Sequence, residues 1–434
     1  MRTLVCRGRH LAWDDGSPFF YLADTAWELF HALTREEVIE YLDVRQREGF
    51  TAIQCVLLAE FGGLTQPNAY GHLPLACANG LPDPTQPLAD GDDTYWTHVD
   101  FVLDEAARRN LFLTILPTWG DKFNRLWGEG PAIFTPENAA VYGAWLARRL
   151  AHRWNVIWML GGDRPLEPRH RQIIDAMAHA IRQHDHGNHL ICFHPPGEHN
   201  STDYLADADY IDMHCSQTGH AVGQCYASDQ VMRTMAAATP KPYWDAEPRY
   251  EGHPACFNAS LGHFWQQADV RQNAWWNVFA GACGHTYGHH CVWRMVREPS
   301  DYFPCTWQEG LRAPGADQLR HLVRLRLEHE PFDFREARDL LVGDNYDGQA
   351  HLAAARAGHR AYVYSPLGLP FTVDCHGFSG KAPLRAWWLN PRSGERTLFG
   401  VYPPSGRQTF VPPSQGRGHD WTLILDDRDP AHGA

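Results

Sequence analysis

The 434-residue chain is short of positive charge: 38 Lys and Arg stand against 51 Asp and Glu, a formal net charge of −13. No Lys/Arg-rich stripe is present to meet phosphates, which excludes a nucleic-acid binder and disfavours an anionic membrane surface. No apolar run reaches the roughly 18 residues of a membrane span. The start, Met1 to His10, lacks the apolar stretch of a signal peptide, so the expected location is cytoplasmic, or periplasmic or secreted if a signal has been removed. The 11 cysteines form no C-x-x-C pair, which excludes a zinc ribbon and a disulfide framework and leaves mostly buried free thiols. There is no internal repeat, no low-complexity segment, and no glycine fingerprint after the first predicted strand.

Aromatic residues are abundant. Seventeen Trp and sixteen Tyr are more than packing requires, and many lie beside polar residues or just after apolar runs. Flat rings with nearby donors and acceptors suit sugars, which present C–H patches and hydroxyls together. Hydrophobic residues at 44% and charged residues at 21% describe a globular chain with a sizeable core.

Asp14-Asp15-Gly16 signals a turn in an N-terminal hairpin. Beyond it, buried strand-like runs alternate with amphipathic helical segments. Strands are predicted near residues 20, 54, 114, 158, 192, 212, 244 and 285, the sixth over Tyr210–Cys215. Between them, Thr34-Arg35-Glu36-Glu37 is a capping box, Asp93 is the expected N-cap of a helix over 94–109, and Thr135-Pro136 opens another. Residues 61–92 are rich in Gly, Pro, Asn and Asp and read as a long functional loop. Eight strand–helix units over about 300 residues predict an α/β fold, a (β/α)8 TIM barrel spanning 1–330. From about Pro331 short strands and turn clusters take over, which predicts a small all-β sandwich over 331–434.

Two of the predicted strands deliver an acid at the same end. Val156-Ile157-Trp158-Met159-Leu160 runs into Gly161-Gly162-Asp163, and Pro242-Tyr243-Trp244-Asp245-Ala246 runs into Glu247-Pro248. In a barrel the C-terminal ends of the strands face the active site. Hydrolysis of a glycosidic bond needs one acid for the leaving oxygen and one carboxylate for the sugar, and their separation sets the stereochemistry. A salt bridge from each acid to its neighbour, Arg164 or Arg249, is the bland alternative.

The strand-4 and strand-7 acids resemble the pair of the retaining (β/α)8 glycoside hydrolases. More closely, Ala23-Asp24-Thr25-Ala26-Trp27-Glu28-Leu29-Phe30-His31, Pro117-Thr118-Trp119-Gly120-Asp121-Lys122 and Trp158-Met159-Leu160-Gly161-Gly162-Asp163 resemble the DUF4038 family, which includes the apiosidases of glycoside hydrolase family 140. Ala386-Trp387-Trp388-Leu389-Asn390-Pro391-Arg392-Ser393-Gly394 is similar to that family's accessory domain, labelled collagen-binding. The resemblance implies a retaining glycoside hydrolase acting on plant-type polysaccharide or oligosaccharide, apiosidase-like on pectin side chains. Asp163 falls on the acid/base and Glu247 on the nucleophile. The wider clan has Asn-Glu where this chain has Gly162-Asp163.

Asp24, Trp27 and His31 after the first strand, Trp119 and Lys122 after the third, and Arg164 beside Asp163 are candidate substrate contacts. So are His214 and Gln217 on the sixth strand, Trp244 and Tyr250 around Glu247, and His285 and Tyr287 on the eighth. His214 is the predicted orienter of Glu247, and Arg164 is expected to lean away from Asp163 so that this acid stays protonated. A carbohydrate is the expected partner; no metal or other cofactor is expected. Two rival readings stand. A metal-dependent, amidohydrolase-like barrel would use His285, His289 and His290, but the first strand lacks the His-x-His it needs. A non-catalytic carbohydrate-binding protein would not need both acids.

Overall fold

The computed structural model describes residues 2–221, 228–378 and 382–427. Eight parallel strands form the first domain: β1 (Tyr21–Thr25), β2 (Ala52–Val56), β3 (Phe112–Leu116), β4 (Val156–Gly161), β5 (Ile191–His194), β6 (His214–Gln217), β7 (Tyr243–Asp245) and β8 (Gly284–Tyr287). Regular pairing runs β5-β4-β3-β2-β1-β8, with β6 beside β7. Backbone bonds close the ring at the two remaining gaps. Asp212 N donates to Ile191 O at 2.9 Å, joining β5 to β6, and Cys283 N donates to Tyr243 O at 2.9 Å, joining β7 to β8. The result is a (β/α)8 barrel.

Strand residues are buried on both sides, and their alternation sorts them into two cores. Leu22, Ile53, Leu113, Ile115, Trp158, Leu160, Ile191 and Phe193 point outward into the layer shared with the helices. Tyr21, Ala23, Ala52, Val56, Phe112, Leu116, Ile157, Met159, Cys192 and Trp244 point inward and fill the barrel. A polar layer crosses that interior: Tyr21 Oη meets Thr114 Oγ1 at 2.9 Å, and Gln54 Nε2 donates to Ala246 O at 2.9 Å. The N-terminal segment pairs as a three-stranded antiparallel sheet, Leu4–Arg7, His10–Trp13 and Pro18–Phe19, one strand more than a hairpin. Leu4, Leu11 and Phe19 from this sheet join the inward-facing core, so it plugs one end of the barrel and leaves the other for a site.

Helix starts follow local chemistry. Thr34, Thr94 and Thr135 each complete a capping box with the third helical residue. The cap of the second of these helices is therefore Thr94, because Thr97 is placed to return its bond, and not Asp93. β6 begins at His214, later than the predicted 210–215 run. Tyr210 Oη instead bonds Asp175, and the Asp212 carboxylate accepts Ile191 N, so these residues lead into the strand. The 61–92 loop contains a short antiparallel pair, Leu75–Ala78 with Leu81–Pro87.

The C-terminal part is antiparallel. β9 (Arg335–Glu336), β10 (Ala353–Ala357), β11 (Arg360–Ser365), β12 (Phe371–Asp374), β13 (Leu384–Leu389), β14 (Arg396–Tyr402), β15 (Arg407–Phe410) and β16 (Trp421–Asp426) form a six-stranded sheet, β9-β10-β11-β16-β13-β14, and a two-stranded one, β12-β15. Val363, Phe371, Val373, Ala386, Trp388, Phe410 and Leu425 fill the space between the sheets. The other face of the large sheet continues the barrel's outer core. Tyr364 stacks on Trp275 of the helix Gln267–Phe279 at 5.2 Å, and Arg271 forms a buried bidentate pair with Asp420 at 2.8 and 2.6 Å.

Candidate active site

At the C-terminal ends of the strands lies a cavity of about 570 Å3. Its wall carries Trp27, Trp119, Trp127, Tyr250, Phe257, Trp293 and Tyr302, the carboxylates Glu60, Asp163, Glu198 and Glu247, and the imidazoles of His220, His253 and His290. No Lys or Arg lines it among the described residues.

Asp163 follows β4 across a turn that only glycine can make. Gly161 and Gly162 have φ of +93° and +114°; a Cβ on the first would meet the Phe193 ring at 2.5 Å, and one on the second would meet Gly120 N at 2.8 Å. Asp163 itself adopts φ +54°, the left-handed region that costs a non-glycine residue energy. The turn aims the carboxylate into the cavity, where its side chain is 24% exposed. Oδ2 accepts from Trp127 Nε1 at 3.1 Å and Arg164 Nη1 at 3.2 Å, and Oδ1 accepts from Gly197 N at 3.3 Å. Burial raises the Asp163 carboxyl above its ordinary range and the charge of Glu247 adds to this, while Arg164, His194 and the Trp127 bond oppose it.

Glu247 lies two residues past the end of β7. His194 Nε2 is 3.1 Å from its Oε2 and His220 Nε2 is 3.4 Å from its Oε1. Burial alone would raise this carboxyl, but bonds and charge from the two imidazoles hold it down to about 2. His194 Nδ1 faces Pro195 O at 3.0 Å. The loop bearing His220 is tied to β7 by Asp245, which accepts Thr218 Oγ1 at 2.6 Å, and by Gly219 N donating to Glu247 O at 2.9 Å. The two acids are thus driven in opposite directions within one cavity.

Six predicted site residues line the cavity: Trp27, Trp119, Asp163, Gln217, Glu247 and Tyr250. Trp27 and Trp119 lie 5.0 Å apart, with the His194 ring between 5.5 and 5.8 Å from them. Eight others do not reach it. Asp24 faces the helix layer, accepting Tyr41 Oη at 2.5 Å and Arg45 Nε at 2.7 Å. His31 spans Glu28 and Gln66 O, each at 3.2 Å. Lys122 is fully buried on Asp121, Glu60 O and Gly130 O. His214 starts β6 at the opposite end from the cavity and bonds Ser201 Oγ at 2.9 Å, so it does not orient Glu247. Trp244 is inside the barrel, 4.8 Å from the Tyr21 ring. His285 faces Asn277, and Tyr287 donates to Glu251 at 2.7 Å.

Arg164 is the eighth, and it leans toward Asp163 instead of away. Its Nη2 reaches Glu60 Oε1 at 2.9 Å, so two carboxylates share one buried guanidinium. Glu60 is a residue that sequence reasoning passed over; burial lifts its carboxyl to about 7 against the pull of Arg164. Trp127, His194, His220, His253 and Trp293 were also passed over, and His290 was considered only as a metal ligand. Only His194 left a signal, as a polar residue ending a buried strand, the same cue that marked the acids. The amidohydrolase-like reading loses its ligand set here. His285 points out of the barrel and His290 stacks on Phe303 at 4.5 Å, away from any shared centre with it.

A (β/α)8 barrel whose open end holds paired acids among aromatic rings defines the class of glycoside hydrolases, and the comparisons agree. A solved structure described as a glycoside hydrolase superposes with TM-score 0.88 at 28% identity, covering 98% of both chains. A family 5 glycoside hydrolase from Bacteroides vulgatus gives TM-score 0.88 at 28% identity, covering 98% of this chain and 93% of that one. A β-L-arabinopyranosidase from Geobacillus stearothermophilus shares the fold alone, with TM-score 0.54, 13% identity, and 95% and 97% coverage. No curated protein matches. The profile of the apiosidase-like catalytic domain matches residues 6–333, and the chain belongs to that family. Residues 337–426 match a profile described as a collagen-binding domain of a collagenase. The protein is a glycoside hydrolase. No described helix is long and apolar enough to cross a membrane.

Proposed function

We propose that the enzyme cleaves its glycosidic bond with retention, Asp163 acting as acid/base and Glu247 as nucleophile. The observation that carries this reading is the opposed electrostatic bias of the two carboxyls: Asp163 is pushed toward its protonated form and Glu247 is held as the carboxylate. In the first step a Glu247 oxygen bonds to the anomeric carbon as the glycosidic C–O bond breaks, and the Asp163 proton passes to the departing oxygen. In the second, Asp163 takes a proton from water, the water oxygen bonds to the same carbon, and Glu247 leaves as carboxylate. Trp27 and Trp119 supply apolar faces for the sugar ring, and Gln217 and Tyr250 supply polar contacts.

A cavity of this size seats one or two sugar units. The substrate class we favour is a neutral pentose such as apiose on a pectin side chain, on the strength of the family alone. The test is turnover of pectin fragments and aryl glycosides by wild type, Asp163→Asn and Glu247→Gln, with the first-formed anomer read by proton NMR. Loss of about 10²–10⁴-fold in Asp163→Asn on unactivated glycosides is expected, with near-complete loss in Glu247→Gln. An inverted first product, or full activity in either variant, would overturn the assignment.

A further inference from the structure

Outside the carbohydrate cavity, on the wall it shares with the loop after β8, three side chains with metal-binding chemistry converge. His289 lies just past the end of β8 and Cys291 follows it. Cys305 comes from the far arm of the same loop, ahead of the short helix Trp307–Gly310. One donor atom from each lies within 4.8 Å of the other two, and no other such group of three occurs among the described residues. His289 and Cys291 are buried and Cys305 is half-buried.

The local contacts show where the donor atoms face. The Cys291 thiol donates to Cys305, whose sulfur also accepts the Gly310 N–H. Cys291 N lies 3.1 Å from His289 Nδ1, so Nδ1 is the nitrogen carrying a lone pair. A Cβ on residue 310 would stand 2.5 Å from that nitrogen, so glycine there keeps this edge of the ring clear on the side of the Cys305 helix. None of the three lines the cavity, but His290, Trp293 and Tyr302 on the same loop do.

We propose that His289, Cys291 and Cys305 form a site for one zinc-class divalent ion, which staples the loop carrying His290, Trp293 and Tyr302 to the end of the barrel. Two thiolates and one imidazole are the donor set that a borderline-soft ion prefers over oxygen-seeking magnesium or calcium. Donor atoms around tetrahedral zinc sit roughly 3.4–3.8 Å apart, so closing from 4.8 Å moves each by less than about 1 Å. Binding releases two thiol protons to solvent, ends the thiol–thiol bond, and takes Nδ1 from the Cys291 N–H. A water fills the fourth position on the half-buried Cys305 side.

The test uses the full chain, reduced, stripped of metal, loaded with zinc sulfate and gel-filtered, with metal content measured by mass spectrometry. Wild type and Cys256→Ser, an exposed cysteine outside the cluster, are expected to hold one zinc per chain. Cys305→Ser is expected to hold less than about a tenth of that, and His289→Gln to bind at least roughly tenfold more weakly. Zinc should raise the melting temperature of wild type and not of Cys305→Ser. Cobalt loading reads ligation without reference to stability: thiolate charge-transfer bands are expected in wild type and not in Cys305→Ser. Wild type that retains no zinc, variants that retain as much as wild type, or cobalt protein without thiolate bands would each overturn the proposal. So would a Cys291–Cys305 disulfide in protein prepared with reductant.

Discussion

At Glu247 burial and two imidazoles pull in opposite directions, and the imidazoles win, with the carboxyl near 2. Replacing His194 or His220 by Gln removes a donor and its charge while burial remains, so the carboxyl must rise. In the proposed mechanism Glu247 works deprotonated, so the acid limb of the kcat/KM profile is expected to move upward by about one pH unit or more. An unmoved limb would show that the two rings merely pack. Arg164 governs the other limb. Glu60 draws one arm of this guanidinium, which weakens its hold on Asp163. Glu60→Gln should return Arg164 to Asp163, lower that carboxyl, and shift the alkaline limb toward lower pH. Unlike a loss of packing, this effect appears as a displaced profile with the maximal rate largely kept.

The turn after β4 is the element on which the site depends. Gly161→Ala places a Cβ 2.5 Å from the Phe193 ring and 2.6 Å from His194 O, at a φ of +93°. Strain and overpacking together are expected to cost about 2–4 kcal/mol, read as a lower urea midpoint. Because His194 belongs to the contact, activity should fall further than stability explains. A variant as stable and as active as wild type would mean that the turn relaxes freely. Strand ends were also where sequence reasoning was sharpest. Asp163 and Glu247 stand out because a carboxylate after a buried apolar run needs a reason. Trp244, His285 and Tyr287 misled for a related cause: they sit on the same strands, but side-chain alternation sends them into the barrel or out to the helices. Without the register, the two faces of a strand buried on both sides cannot be told apart.

In the whole molecule, the sandwich and the barrel share one apolar layer, with Arg271 and Asp420 paired inside it. Asp420 also accepts from Arg392 and Tyr364, so it joins β11 and β16 to the barrel helix. Asp420→Ala leaves a buried guanidinium without its carboxylate and is expected to cost about 3–5 kcal/mol. Chemical unfolding followed by tryptophan fluorescence measures it; a midpoint equal to wild type would mean that the pair is dispensable and packing alone joins the two parts.

The chain's own pattern determined the eight strand–helix units, the antiparallel tail and the two acids, because period, capping and strand-end chemistry are local properties. Tertiary structure decided the rest. Glu60, Trp127, His220 and His290 come from loops with no periodicity, and they share a cavity with the acids only because barrel closure gathers eight strand ends around one opening. The same closure sets Asp163 against Glu247 and Arg164, and so biases the two carboxyls in opposite directions. That bias depends on distances between residues far apart in the chain, which no local pattern encodes.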